Sequence, residues 1–233
     1  MKNIVIAGAS KGIGLKTAQL LHNQYQLFTI ARNLTPELEE LNTRFYPLDL
    51  ANGNTDVLTG LPEVIHGLVY CPGSINLKPF NRLTRQDFEN DFSQNVLGAV
   101  AILQKLLPNL KKANGASIIL FSTVAAKLGM PFHSSIAAAK GAIEGLAKSL
   151  AAELAAANIR VNVIAPSLTD TPLAGSLLST PEKREAAAKR HPLQRVGTPE
   201  EIAQTIEFLL SDKSSWITGQ IIGIDGGMGS LKV

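Results

Sequence analysis

The chain has 233 residues, 45% of them hydrophobic, with 22 Lys+Arg against 19 Asp+Glu for a formal charge of +3. That length suits one well-cored domain, 1–233, and charge this dispersed, with no basic run longer than Lys111-Lys112, argues against nucleic acid or a membrane surface as partner. Cys71 alone cannot make an internal disulfide, no Cys/His cluster has metal-ligand spacing, and no charged-then-apolar leader or long apolar span is seen; a cytoplasmic, metal-free protein is expected.

The first predicted strand, 4–7, runs straight into Gly8-Ala9-Ser10-Lys11-Gly12-Ile13-Gly14 and a predicted helix, 13–24. Strand, glycine turn and helix in that order form the context in which backbone N–H groups and a helix N-terminus bind a pyrophosphate. A second strand, 27–30, leads to Arg32, with no acid between Gly14 and Glu37. A carboxylate there would bind a ribose 2′-hydroxyl, whereas an arginine accommodates a 2′-phosphate. Arg32 and Lys11 bracketing a phosphate from two sides point to NADP(H) over NAD(H). Asp49, with Leu50 beside it after a third strand at 44–48, either accepts from an adenine amino group or caps the helix predicted at 54–61.

Strand 68–70, a long helix at 84–112, strand 117–121, an alanine-rich helix at 134–157, strand 161–164, a helix at 199–211 and strand 221–224 complete the pattern. Most of the seven runs are almost continuously apolar, as parallel strands covered on both faces require. The alternation predicts right-handed βαβ crossovers and an α/β, Rossmann-like, doubly wound seven-stranded parallel sheet flanked by helices on both faces.

Taken together, these residues resemble the short-chain dehydrogenase/reductase family, and the likeness runs over nearly the whole chain, with 3-oxoacyl-ACP reductases among the members it resembles. Gly8, Gly12 and Gly14 match its glycine motif. Tyr70-Cys71-Pro72-Gly73 keeps only the glycine of its Asn-Asn-Ala-Gly motif, and Asn95 matches its active-site asparagine. Phe121-Ser122-Thr123 aligns Thr123 with the catalytic serine; Ser122 takes that place if the register slips by one. Pro166-Ser167 resembles the Pro-Gly loop, and Leu168, Thr169 and Thr171 match positions that usually touch the nicotinamide carboxamide and pyrophosphate. His191-Pro192-Leu193-Gln194-Arg195-Val196-Gly197 and Asp225-Gly226-Gly227 match late motifs of the family.

The resemblance implies an oxidoreductase acting on a small carbonyl or alcohol compound, with 168–195 as a lid over the substrate. It also implies a homodimer or homotetramer assembled through helices 84–112 and 134–157. Cofactor contacts are expected from Gly8, Ser10, Lys11, Gly12, Ile13, Gly14, Arg32, Asp49, Leu50, Cys71, Pro72, Gly73, Lys140, Pro166, Ser167, Leu168, Thr169 and Thr171. Thr123, Lys140 and Asn95 are the expected catalytic set.

One position breaks the pattern. The family's Tyr-x-x-x-Lys pair reads here as Ile136-Ala137-Ala138-Ala139-Lys140, and the only tyrosines are Tyr25, Tyr46 and Tyr70. In the family the phenol protonates the carbonyl oxygen as hydride arrives; isoleucine can neither donate nor accept. Three readings follow. Another group supplies the proton: His133, three residues earlier and on the same side if the helix already includes it, or Ser134, Ser135 or Thr123 with a water held by Lys140. Or the substrate takes its proton from water while Thr123 and Lys140 orient it. Or the chain binds NADP(H) without turnover, as a cofactor-sensing or partner-binding module.

Overall fold

The computed structural model describes residues 1–52 and 54–232. Among them, seven strands form one all-parallel sheet in the order β3-β2-β1-β4-β5-β6-β7. They are β1 (Asn3–Ala7), β2 (Gln26–Ala31), β3 (Arg44–Pro47), β4 (Gly67–Tyr70), β5 (Ser117–Phe121), β6 (Arg160–Pro166) and β7 (Ile221–Ile224). Each predicted strand is present, and Pro47 ends β3, where its missing N–H costs no ladder bond.

The near-continuous apolar strands divide their side chains between two cores. Val5 and Ala7 of β1, Leu68 and Tyr70 of β4 and Ile118 and Leu120 of β5 face one side of the sheet. Their neighbours Ile4, Ile6, Val69, Ile119 and Phe121 face the other. On the first side pack α4 (Gly98–Lys112), through Ile102 and Leu106, and α6 (Ser134–Leu154), through Ile143 and Ala147. On the second lie α1 (Gly12–Leu21), through Ala18 and Leu21, and α8 (Pro199–Leu210), through Ile202 and Ile206. The short α2 (Pro36–Glu39) follows β2, α3 (Arg85–Phe92) precedes α4, α5 (Val124–Lys127) follows β5, and α7 (Pro181–Ala188) lies in the predicted lid. No helix among the described residues is long and apolar enough to cross a membrane.

Two expectations need correction. Residues 54–61 are not helical. Asn54 Oδ1 accepts from the Asp56 N–H to make a turn, and Gly60 takes a left-handed φ of +67° with its carbonyl accepting from Tyr46 Oη. The apolar spacing there buries Leu58 from a loop. The predicted helix 84–112 is two helices joined by a π-helical turn at Ser93–Leu97. That turn bonds the Gly98 N–H to the Ser93 carbonyl, and the Gln94 carbonyl accepts from buried Tyr70 Oη at 2.6 Å. Asn95 sits within it, and its Nδ2 donates back to the Asp91 carbonyl at 2.8 Å. The side chains thus serve the backbone groups that the irregularity leaves over.

Candidate active site

A cleft of about 770 Å³ opens at the carboxyl ends of β1, β2 and β4, where the strand order reverses. Its floor is the turn Gly8–Gly14. Gly8 has φ +78°, and a Cβ on it would stand 2.9 Å from Pro72 N. A Cβ on Gly14 would lie 2.2 Å from the Gly8 carbonyl oxygen, so only glycine lets α1 start this close to β1. The cleft thus has the backbone cradle a pyrophosphate needs, and Thr171, whose Cβ lies 3.3 Å from where a Gly12 Cβ would be, stands over it.

Of the predicted cofactor contacts, Gly8, Ser10, Lys11, Gly12, Ile13, Gly14, Arg32, Asp49, Leu50, Cys71, Pro72, Gly73 and Thr171 all line this cleft. Arg32 and Lys11 are exposed on its wall and make no ion pair among those of the described residues. Asp49 both borders the cleft and caps a short 3-10 helix, Leu50–Asn52, its Oδ1 accepting from the Ala51 N–H at 3.1 Å.

A second chamber of about 390 Å³ continues from the cleft, sharing Ile13, Cys71, Gly73, Phe121, Thr171 and Leu173 with it. Its walls bring together Ser122, Thr123, His133, Ile136, Lys140, Pro166, Ser167, Leu168 and Thr169. Ile75, Leu77, Met130, Leu177 and Met228 make the rest largely apolar, and Lys183 and Arg190, both exposed, stand on the α7 side. Lys140 is 7% exposed, and its Nζ donates to the Phe121 carbonyl at 2.9 Å. Burial brings its ammonium down to about 8, against an upward pull from the charges of Cys71 and Asp91. Cys71 itself is pushed up to about 12 by burial, so at neutral pH it is a thiol packed as a small hydrophobe.

The hydroxyls differ in what they do. Ser122 is buried and donates to Glu144 Oε1 at 2.6 Å, a bond from the end of β5 to α6. Thr123 faces the chamber and caps α5 by accepting from the Ala125 N–H. Neither Ser134 nor Ser135 is the N-cap of α6; that residue is His133, whose Nδ1 lies 2.7 Å from the Pro131 carbonyl. Asn95 does not line the chamber, yet its Oδ1 stands 3.5 Å, and Lys140 Nζ 3.6 Å, from the point where a Cβ on Gly73 would be. Both side chains therefore border the space that Gly73 leaves open by having no Cβ.

A family model described as Enoyl-(Acyl carrier protein) reductase matches residues 8–229. The chain belongs to the short-chain dehydrogenase/reductase family. It is 37% identical to the 3-oxoacyl-(acyl-carrier-protein) reductase FabG of Thermotoga maritima over 246 aligned positions, covering 97% of each chain. The solved structure of aldohexose dehydrogenase from Thermoplasma acidophilum superposes with a TM-score of 0.90 at 25% identity, over 100% of this chain and 96% of that one. ElxO with NADP bound superposes with a TM-score of 0.88 at 27% identity, over 99% of both chains. As a member of this family the chain is an oxidoreductase that binds a nicotinamide cofactor.

Sequence reasoning missed three members of this short-chain dehydrogenase/reductase site. Asp91 is 2% exposed, its Oδ1 accepting from Ser74 Oγ at 2.6 Å. Ser74 lines the chamber and also accepts from Asn95 Nδ2 at 3.1 Å. His191, 2% exposed, places Nε2 2.8 Å from Ser167 Oγ and Nδ1 2.8 Å from the Ala187 carbonyl. A carbonyl only accepts, so Nδ1 carries the hydrogen and, in the neutral ring, Ser167 donates to Nε2. That contact ties the loop after β6 to the end of α7, and the serine replacing a glycine at 167 was its one visible sign.

Proposed function

We propose that the chain is an NADP(H)-dependent oxidoreductase for a small, largely apolar carbonyl or alcohol compound, in which Ile136 occupies the place of the family's proton-donating tyrosine. The observation that carries this reading is the continuity of a glycine-floored cleft, edged by Lys11 and Arg32, with an apolar chamber into which Lys140 and Ile136 both face. When bound, the cofactor supplies or takes up the hydride. The N–H groups of Gly8–Gly14 hold its pyrophosphate, and the Arg32 guanidinium and Lys11 ammonium flank the adenosine ribose. ElxO, solved with NADP bound, supports that choice by similarity.

On the substrate side, Lys140 holds the ribose next to the nicotinamide and presents its positive charge to oxygen developing negative charge. Thr123 orients the carbonyl through its hydroxyl. Ile136 donates nothing, so the proton reaches oxygen from water or from another hydroxyl in the chamber. Residues 168–195, with the 3-10 segment Pro172–Leu177 and α7, close the chamber as a lid. The apolar lining and the likeness to FabG favour an uncharged 3-oxoacyl-type group.

Fluorescence titration with NADPH and NADH tests the cofactor. NADPH is expected to bind more tightly, and Arg32→Ala to weaken NADPH by about 10–100-fold while leaving NADH nearly unchanged, the worth of one or two charge-assisted contacts. Equal affinity for the two coenzymes in the unaltered protein would overturn the assignment of Arg32 and Lys11.

A further inference from the structure

The lid helix sorts its cations by side. α7 and the turn that ends it carry Lys183, Arg184, Lys189 and Arg190. Arg184 Nη1 pairs with Asp170 at 2.6 Å and Lys189 Nζ with Glu185 at 2.7 Å, and neither cation lines the chamber. Lys183 and Arg190 do line it, and neither makes an ion pair among those of the described residues. With Ala186 and Ala187, which line it too, they fall at i, i+3, i+4 and i+7, the spacing of one helical face. The face turned to the chamber therefore carries two unneutralised charges with two methyl groups between them.

The rest of the chamber agrees with that sign. Its lining holds buried Lys140 at depth and exposed Lys183 and Arg190 at the mouth, and no Asp or Glu among the described residues. Lys183 Nζ donates to the Ser176 carbonyl at 3.1 Å and to Ser179 Oγ at 3.0 Å, so the ammonium is held in place with one of its three hydrogens uncommitted. The Arg190 guanidinium is a planar fork of donors that matches an oxyanion. Cations gathered around a cavity with no counter-charge draw anions into it. Lys140 is already committed, in the proposed reading, to the cofactor ribose and the reacting oxygen. The pair at the mouth is left for another part of the substrate.

We infer that the substrate carries an anionic oxygen group, a carboxylate or a phosphate, at the end away from its reacting carbonyl, and that Lys183 and Arg190 select it. The inference rests on the reading of the chamber as the substrate site. To an uncharged, apolar reacting end it adds a charged tail, which makes the substrate an oxo acid or an oxo phosphate with a short apolar body. Because both cations belong to the segment 168–195, the tail also gives the lid something to close on.

The test is calorimetric binding of a series of straight-chain oxo carboxylates and their methyl esters to the cofactor-free and the NADPH-loaded protein. The best acid is expected to bind about tenfold more tightly than its ester, the worth of two charge-assisted contacts at an exposed mouth. Lys183→Gln and Arg190→Gln keep N–H donors and remove the charge; each should cut that preference about threefold, and together they should abolish it. Lys189→Gln removes an equal charge from a residue outside the chamber and should leave the preference unchanged. A matched oxoalkyl phosphate separates the two anions: tighter binding than the carboxylate assigns the mouth to a phosphate, weaker binding to a carboxylate. Equal binding of acid and ester, binding of neither, a preference that survives the double variant, or one that Lys189→Gln weakens as much, overturns the proposal. If NADPH fails to bind while the cofactor-free protein still prefers the acid, the cofactor reading falls and the role of Lys183 and Arg190 stands.

Discussion

Ile136→Tyr is expected to raise the rate of carbonyl reduction by about 10²–10⁴, or roughly 3–5 kcal/mol of barrier, the usual worth of one positioned proton donor. Ile136 is 5% exposed, faces the chamber and stands four residues before Lys140 on α6, so a side chain there lies one helical turn from the ammonium. A phenol in that position would have its proton loosened by the neighbouring charge and presented to the same space as Thr123. The chamber, about 390 Å³, has room for the ring. Ile136→Phe supplies that ring without the hydroxyl and is expected to bring no gain. The measurement is NADPH oxidation across a panel of carbonyl compounds with all three proteins. If Ile136→Tyr and Ile136→Phe behave alike, position 136 is not where the missing proton donor belongs. If the unaltered chain is silent across the panel while Ile136→Tyr turns over, the chain works as an NADP(H)-binding module.

The sheet was legible in the sequence because parallel strands buried on both faces must be apolar at every position, and runs such as 4–7 and 117–121 have no competing explanation. The glycine turn was legible because its requirement is local: Gly14 cannot carry a Cβ so near the Gly8 carbonyl. What escaped was set by contacts distant in sequence. The π-turn at Ser93–Leu97 depends on Tyr70, whose hydroxyl reaches the Gln94 carbonyl from another element. Residues 54–61 have helical spacing in their apolar residues, but Gly60 and the Asn54 turn govern the backbone. Asp91 and Ser74 stand in ordinary polar surroundings as letters, and only the fold brings the loop after β4 against α3, where Ser74 Oγ donates to the buried Asp91 Oδ1. The sequence aligned Thr123 with the catalytic serine and left Ser122 for a one-residue slip; in the fold the two differ by partner, Ser122 donating to Glu144 and Thr123 capping α5.

Lys140→Met is expected to stabilise the cofactor-free protein while weakening NADPH binding by at least about tenfold. Lys140 is brought from an ordinary 10.5 down to about 8 by burial, which corresponds to a penalty on its charged form of roughly 3 kcal/mol. Because the folded-state value is the lower one, the unfolded chain holds more protons between about pH 8 and 10.5. The penalty is therefore fully present below pH 8 and is relieved as pH rises through that window. Methionine fills a similar volume without the charge but gives up the bond to the Phe121 carbonyl, worth about 1–2 kcal/mol. The net gain at pH 7 is then about 1–2 kcal/mol, or a rise in Tm of roughly 3–6 °C for a chain of this size. The gain should vanish or reverse at pH 10.5, where the lysine is neutral in the folded state and only half-charged in the unfolded chain, so nearly all of the penalty is gone. Thermal unfolding of both proteins at pH 7 and 10.5 checks this, and a Lys140→Met protein less stable at pH 7 would show that the ammonium is well served in the fold. A residue that costs stability where it stands, and whose removal costs affinity for the coenzyme, is kept for what it binds.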